Sequence, residues 1–203
     1  MKPKPWLPYV APFAVYALCL AVQSPQNLVW IYPLKTIAVV VTLLFFRKHY
    51  DELRPRFSSL AVVIGLVAIA IWIGIDRYYP KWGSVEVFDP SGRPVFIAFR
   101  VAGAVLAVPV MEELFWRAFL IRWLVDPNFK QVPVGTFTWS SFAVTVALFG
   151  LEHNQWLAGL ICGALYNWLY YKRKDVFACV IAHAVSNAAL AAWVLARGDW
   201  KFW

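Results

Sequence analysis

The chain has 203 residues, of which 62% are hydrophobic and only 15% charged, and its formal net charge is +8. Soluble domains are about 45–50% apolar, so this composition excludes an ordinary soluble globular protein and indicates an integral membrane protein. The basic residues are not interleaved with aromatic residues in one patch, so the positive charge predicts no nucleic-acid partner.

Seven apolar segments predict an all-α, polytopic transmembrane bundle that forms a single membrane domain, residues 1–203. A helix needs about 20 apolar residues to cross the hydrocarbon core of a bilayer. Only helices are expected, because an open sheet edge would leave its backbone groups unpaired in lipid. The predicted segments, in chain order, are 6–22, 28–46, 57–75, 95–110, 139–152, 156–171 and 176–196.

The distribution of basic residues predicts that the N-terminus is cytoplasmic. With that orientation eleven basic residues lie inside and five outside, as the positive-inside rule requires. The inner set is Lys2, Lys4, Arg47, Lys48, Arg54, Arg56, Arg122, Lys130, Lys172, Arg173 and Lys174, and the outer set is Arg77, Lys81, Arg93, Arg197 and Lys201. Lys35 and Arg100 lie a few residues inside span ends, and we expect their side chains to extend to the interface.

The three cysteines, Cys19, Cys162 and Cys179, all fall within predicted spans. Their odd number and their spacing indicate neither a disulfide framework nor a zinc knuckle, so we interpret them as packing residues. The start "MKPKPWLPYVAPF" is charged and then apolar like a signal peptide, but it has no small-x-small cleavage site, so we expect a retained first helix.

The stretch "VMEELFWRAF", residues 110–119, places three ionisable side chains in an apolar helix. Glu113 and Arg117 are four residues apart and share a helix face, so they are expected to pair. Glu112 points about 100° away and has no cation at either helical offset. An ion pair that fixes helix packing explains Glu113 and Arg117 but not Glu112. Because an ionisable group inside a bilayer is costly unless it faces a partner or water, Glu112 is predicted to face a wet cavity.

Two later spans carry further polar pairs, Phe149 with His153 and His183 with Asn187. At 1.5 Å of rise per residue, Glu112, both histidines and Asn187 lie within about 10 Å of a common depth, so they are predicted to converge. The fifth segment is short, and a tilt or kink is expected to draw His153 inward.

Together these side chains fit the hydrolysis of a peptide bond without a protein nucleophile. Glu112, in a cavity away from bulk water, suits a general base, a histidine orients the attacking water, and Asn187 stabilises the oxyanion. A metal interpretation uses the same residues, since Glu112, His153 and His183 could hold zinc with one open position. The sequence has no H-E-x-x-H motif, and the spacing does not require a metal.

The motifs E-E-x-x-x-R, F-x-x-x-H and H-x-x-x-N, in this order, resemble those of the CPBP family of intramembrane proteases. That family includes the CAAX prenyl endoproteases and bacterial bacteriocin-processing or immunity proteins. The resemblance covers residues 95–196, the expected catalytic core, while residues 1–94 supply N-terminal spans and an outer loop. It implies that Glu112 activates water with support from Glu113 and Arg117, that His153 and His183 complete the site, and that Asn187 serves the oxyanion. The family has been described as both metallo- and glutamate proteases; we favour the second and expect no cofactor.

A narrower resemblance is carried by "VPVMEELFWRAFLIRWL", "VPVGTFTWSSF" and "GDWKFW". These stretches look like a bacterial CAAX-protease-related subgroup associated with exosortase and PEP-CTERM protein sorting. This resemblance implies a bacterial inner membrane, a membrane-associated polypeptide substrate and a link to that sorting pathway. Ala118 stands where the family often has glycine. The prenylated CAAX substrate itself is not expected in bacteria.

Two other function classes use the same features. A non-catalytic, immunity-type membrane protein that binds a partner would tolerate the loss of Glu112. A small transporter or proton relay would also place Glu and His within the membrane, but it predicts inverted repeats and broken helices that the sequence does not show.

Overall fold

A computed structural model, which describes residues 4–83 and 87–203, forms seven principal helices and no strand within those ranges. Their bounds are α1 Leu7–Ala21, α2 Leu28–Phe46, α3 Ser59–Ile75, α4 Pro94–Val125, α5 Trp139–Leu151, α6 Trp156–Arg173 and α7 Val176–Arg197. Four of these, α2, α3, α4 and α7, are long and apolar enough to cross a membrane, whereas α1 and α5 are shorter apolar helices. The predicted all-α membrane bundle is confirmed.

Helix α4 is longer and less regular than the predicted segment 95–110. Its hydrogen bonds widen to π-helical turns over Gly103–Ala107 and Leu114–Leu120, on either side of Val108–Glu113. In the first wide turn the Val108 N–H bonds to the carbonyl of Gly103, five residues back. The next residue, Pro109, has no N–H to donate, so the regular α-helical ladder is already interrupted here. The wide turns change the direction in which the acidic residues of α4 point.

The ends of α5 determine the depth of His153. Thr138 caps the helix through its side chain, which accepts a hydrogen bond from the Ser141 N–H. The helix continues for 13 residues without interruption to Leu151. That length is about 20 Å, shorter than a hydrocarbon core of about 30 Å. His153 therefore follows a helix too short to cross a bilayer, and its inward position needs no kink in α5.

Close backbone contact between α3 and α7 forms one wall of the bundle. At Gly65 an added Cβ would lie 2.4 Å from the Ala182 carbonyl oxygen and 2.9 Å from Val185 Cβ. Only glycine fits at this crossing, because any side chain would force the two helices apart. The contact holds α7, which carries His183 and Asn187, against the bundle.

The side chain of Lys35 is buried rather than exposed at the end of its helix. Its side chain reaches toward the loop between α1 and α2, but the residue is only 2% exposed. The ammonium lies 4.6 Å and 4.4 Å from the ring centroids of Tyr16 and Tyr32, and it donates to Gln23 Oε1 at 3.1 Å. Cation–π contacts and one amide oxygen take the place of water.

At the opposite end of the bundle, the loop after α2 is fixed by a buried ion pair. Arg122 Nη1 donates to Glu52 Oε1 at 2.6 Å, and Tyr9 donates to the other oxygen of Glu52 at 2.7 Å. Burial by itself would raise the pKa of Glu52, but these hydrogen bonds and the charge of Lys130 outweigh it and hold the pKa below its ordinary value. The pair ties the end of α4 to the loop.

Candidate active site

A cavity of about 220 Å³ lies between α4, α6 and α7 and the turn that follows α5. The structure brings Glu112, His153, His183 and Asn187 together in its wall. Glu112 is 5% exposed, and its Oε2 has no hydrogen-bond partner among the described residues. Glu113 Oε2 also lacks a partner, but only Glu112 lines the cavity, so its carboxylate is the one that can bind water or substrate there.

Glu113 and Arg117 form the predicted pair and lie entirely inside the protein. Arg117 Nη1 donates to Glu113 Oε1 at 3.1 Å, and the two side chains are 1% and 0% exposed. The guanidinium also donates through Nε to Asn167 Oδ1 at 3.2 Å and lies 4.9 Å from the Phe149 ring centroid. Every side of the arginine is therefore held, and the charge of Glu113 is balanced within the bundle.

His183 is anchored to Glu113. Its Nδ1 lies 3.0 Å from Glu113 Oε1, and its ring stacks on Tyr166 with centroids 5.4 Å apart. Because an ionised carboxylate only accepts, Nδ1 carries the proton of this bond, and in the neutral ring Nε2 becomes an acceptor. Tyr166 is held in turn by a 2.6 Å hydrogen bond to Ser186. Glu113 thus orients the imidazole on α7 and does not stand free in the cavity.

His153 is fixed by its own helix end. Its Nδ1 lies 2.7 Å from the carbonyl oxygen of Phe149, which leaves Nε2 as the acceptor in the neutral ring. The imidazole packs edge-on against Trp72 at 5.3 Å and against Phe149 at 5.1 Å. The four-residue spacing of Phe149 and His153 therefore has two consequences. The Phe149 carbonyl sets the tautomer of the His153 imidazole, and the Phe149 ring fixes the position of that imidazole.

Asn187 links α7 to the first wide turn of α4. Its Nδ2 donates to the carbonyl of Ala104 at 2.7 Å, and a carbonyl can only accept, so the nitrogen must face it. In a regular α-helix the Ala104 carbonyl would accept from the Val108 N–H, but here the Val108 N–H bonds to the Gly103 carbonyl in the π-helical turn. Asn187 therefore stabilises the wide turn with one N–H and keeps a second N–H.

The zinc interpretation depends on three residues of the cavity wall. Within residues 4–83 and 87–203, no three His, Cys, Asp or Glu side chains form a group that could hold a metal ion. Glu112, His153 and His183, which the zinc interpretation requires, all line the cavity, and Nδ1 of His153 and of His183 is bonded to the Phe149 carbonyl and to Glu113 respectively.

Sequence reasoning missed the polar residues of α6. Asn167 is fully buried, and its Nδ2 donates to Thr145 Oγ1 at 2.8 Å while its oxygen accepts from Arg117. An asparagine within an apolar helix was the available signal, since an amide in lipid needs a partner. Glu152 was also missed; its carboxylate lies 3.9 Å from the His153 ring nitrogen, and its side chain is 25% exposed.

Residues 94–189 match the family model described as Type II CAAX prenyl endopeptidase Rce1-like. This range contains all seven residues of the three motifs, from Glu112 to Asn187. This match supports the resemblance to the CPBP family that the three motifs indicate. No curated protein and no solved structure matches the chain.

Proposed function

We propose that the protein is an intramembrane endopeptidase that hydrolyses a peptide bond of a membrane-associated polypeptide with water activated by Glu112. The observation that carries this proposal is the contrast between two adjacent carboxylates. Glu113 is bonded to Arg117 and His183 through Oε1 and does not line the cavity, whereas Glu112 lines the cavity and forms no ion pair among the described residues. One acid is thereby used for positioning and the next is free for chemistry.

The proposed reaction begins with a water held between the Glu112 carboxylate and an imidazole Nε2. Glu112 takes one proton of this water, and the oxygen forms a bond to the carbonyl carbon of the substrate. The second N–H of Asn187 donates to the oxyanion that results. The C–N bond then breaks, and the proton passes from Glu112 to the departing amine. Two peptide products leave, and Glu112 regains its charge.

We propose that this chemistry needs no bound metal. The support for this choice is that no three His, Cys, Asp or Glu side chains among the described residues form a metal-holding group, whereas zinc sites need three protein ligands directed at one point. In the zinc-dependent alternative, purified protein contains about one zinc per chain and loses cleavage with a chelator. The proposal predicts cleavage that persists after chelation at a metal content well below one ion per chain.

We further propose a bacterial inner-membrane location with a cytoplasmic N-terminus, and a place in exosortase-linked sorting of PEP-CTERM proteins. The excess of basic residues on one side of the predicted topology supports the orientation. The cavity then lies toward the outer face, since Arg100, Gln155 and Trp203, which line it, lie at that end of the bundle.

The experiment compares membrane polypeptides from cells that contain the wild-type protein, the Glu112→Gln variant or no copy of the gene. The proposal predicts one or more polypeptides that are shortened only with the wild-type protein. If the shortened species also appear with Glu112→Gln, Glu112 is not the base. An immunity-type protein would instead retain its biological effect in that variant without any change in polypeptide length.

A further inference from the structure

The end of the cavity opposite Glu112 is positively charged. Arg100 lines it, with its guanidinium 4.6 Å from the Tyr32 ring centroid and 5.7 Å from that of Trp203. Among the described residues, every ion pair involves other side chains, so no carboxylate there lies within ion-pair distance of Arg100. Arg100 is half-buried, and it lines the cavity.

A second cation lies behind the same aromatic ring. The Lys35 ammonium is 4.4 Å from the Tyr32 ring centroid, and its contacts, Gln23, Tyr16 and Tyr32, are all neutral. At 2% exposure it has little water to screen its charge. Two cations around one tyrosine ring repel each other, and burial without a counter-ion is costly. An anion bound at Arg100 would relieve both costs.

Arg100 also lies at the boundary between two cavities. A larger cavity of about 730 Å³ is lined by Arg100 and Trp203 together with Gln23, Phe88 and Asn154. Arg100 and Glu112 lie on the same helix, about 18 Å apart along its axis at 1.5 Å per residue. An extended peptide covers that distance with roughly five residues at about 3.3 Å each. One bound segment could therefore contact both residues.

We propose that Arg100, with Lys35 behind it, binds a carboxylate of the substrate polypeptide a few residues from the bond that is cleaved. The carboxylate belongs either to an acidic side chain or to the end of the substrate chain, since both present the same two oxygens to a guanidinium. The charge pattern of the cavity favours this arrangement, because it places a cation at one end and the water-activating acid at the other. This inference rests on the proposed function.

The test uses hydrophobic peptides of graded length, made in matched forms, with the protein in detergent micelles. Each peptide carries Asp or Asn at one position and a free or amidated C-terminus, so that the two sources of the carboxylate are read separately. For the wild-type protein we expect kcat/KM to be about 10- to 100-fold higher for one carboxylate form than for its amide, the range of a charged hydrogen bond. Arg100→Gln should reduce this ratio to near one, and Arg100→Lys should restore part of it.

A matched control removes a positive charge outside the cavity. Arg197 lies at the same end of the bundle, is exposed, and contacts the Trp193 ring rather than the cavity. Arg197→Gln should leave the preference for the carboxylate peptide intact. A ratio near one in the wild-type protein, or an undiminished ratio in Arg100→Gln, would overturn the proposal. A third result would also overturn the proposal: Arg100→Gln loses co-purified phosphatidylglycerol while its peptide ratio stays unchanged. The anion bound at Arg100 would then be a lipid phosphate.

Binding to a protein with Glu112→Gln separates this inference from the proposed function. Fluorescence anisotropy of the same labelled peptides should show tighter binding of the carboxylate form, and the added Arg100→Gln change should remove that difference. If the binding preference is present while the wild-type protein cleaves no peptide, the anion site stands and the protease proposal fails. If cleavage occurs without any preference in rate or binding, the protease proposal stands and the anion site is wrong.

Discussion

Replacing Glu113 and Arg117, singly and together, tests whether the buried pair stabilises the bundle. Glu113→Gln leaves the guanidinium of Arg117 at 1% exposure without its anion, and Arg117→Met leaves the Glu113 carboxylate at 0% exposure with only His183 beside it. Losing one partner of a buried pair costs about 3–5 kcal/mol in free energy of unfolding. At the observed N–O distance of 3.1 Å, the attraction between the charges is about 5 kcal/mol for an effective dielectric constant of about 20.

The double variant should lose less than the sum of the two single losses, because neither charge is then left alone. We expect a coupling energy of about 2–5 kcal/mol from the double-mutant cycle, measured by denaturant unfolding in mixed micelles. Agreement between the double variant and the sum to within about 0.5 kcal/mol would refute the assignment of Glu113 to Arg117.

Two further predictions concern parts of the fold outside the cavity. The pKa of Glu52 is held below its ordinary value of 4.5, so its bond with Arg122 stabilises the protein above that value and weakens as the pH falls through the lower, folded-state pKa. The free energy of unfolding of the wild-type protein should therefore fall in this acidic range, and Glu52→Gln, measured by the same titration, should show a flatter curve; equal slopes would contradict this. Gly65→Ala should cost about 1–3 kcal/mol because its Cβ would meet the Ala182 carbonyl oxygen. Gly74→Ala on the same helix, where an added Cβ meets nothing within 4 Å, is the matched control, and an equal loss in thermal stability would refute the packing argument.

The sequence was sufficient for the architecture because apolar length alone decides where a chain can cross a bilayer. It was also sufficient for the pair of Glu113 and Arg117, which depends only on the helical repeat within one segment. The motif spacing also predicted that Phe149 lies near His153, although α5 ends between them at Leu151.

Contacts between helices could not be read from these spacings. His183 lies against Glu113, a partner 70 residues away, and nothing in either local pattern specifies that choice. The wide turns of α4 depend on Pro109 and on the hydrogen bond from Asn187 to the Ala104 carbonyl. That hydrogen bond forms only when α7 packs against α4. The burial of Lys35 could not be read from its position either, because one of its ring partners, Tyr16, lies on another helix.

The most direct measurement of the central claim is the cleavage rate of purified Glu112→Gln, compared with Glu152→Gln, on a peptide that the wild-type protein hydrolyses. Loss of a general base lowers the rate by about 10²- to 10⁴-fold, and we predict this loss for Glu112→Gln with an unchanged unfolding temperature. Glu152 is the neighbouring acid that does not line the cavity, so its variant should stay within about tenfold of wild type. Cleavage by Glu112→Gln at the wild-type rate, or a deeper loss in Glu152→Gln, would contradict the account.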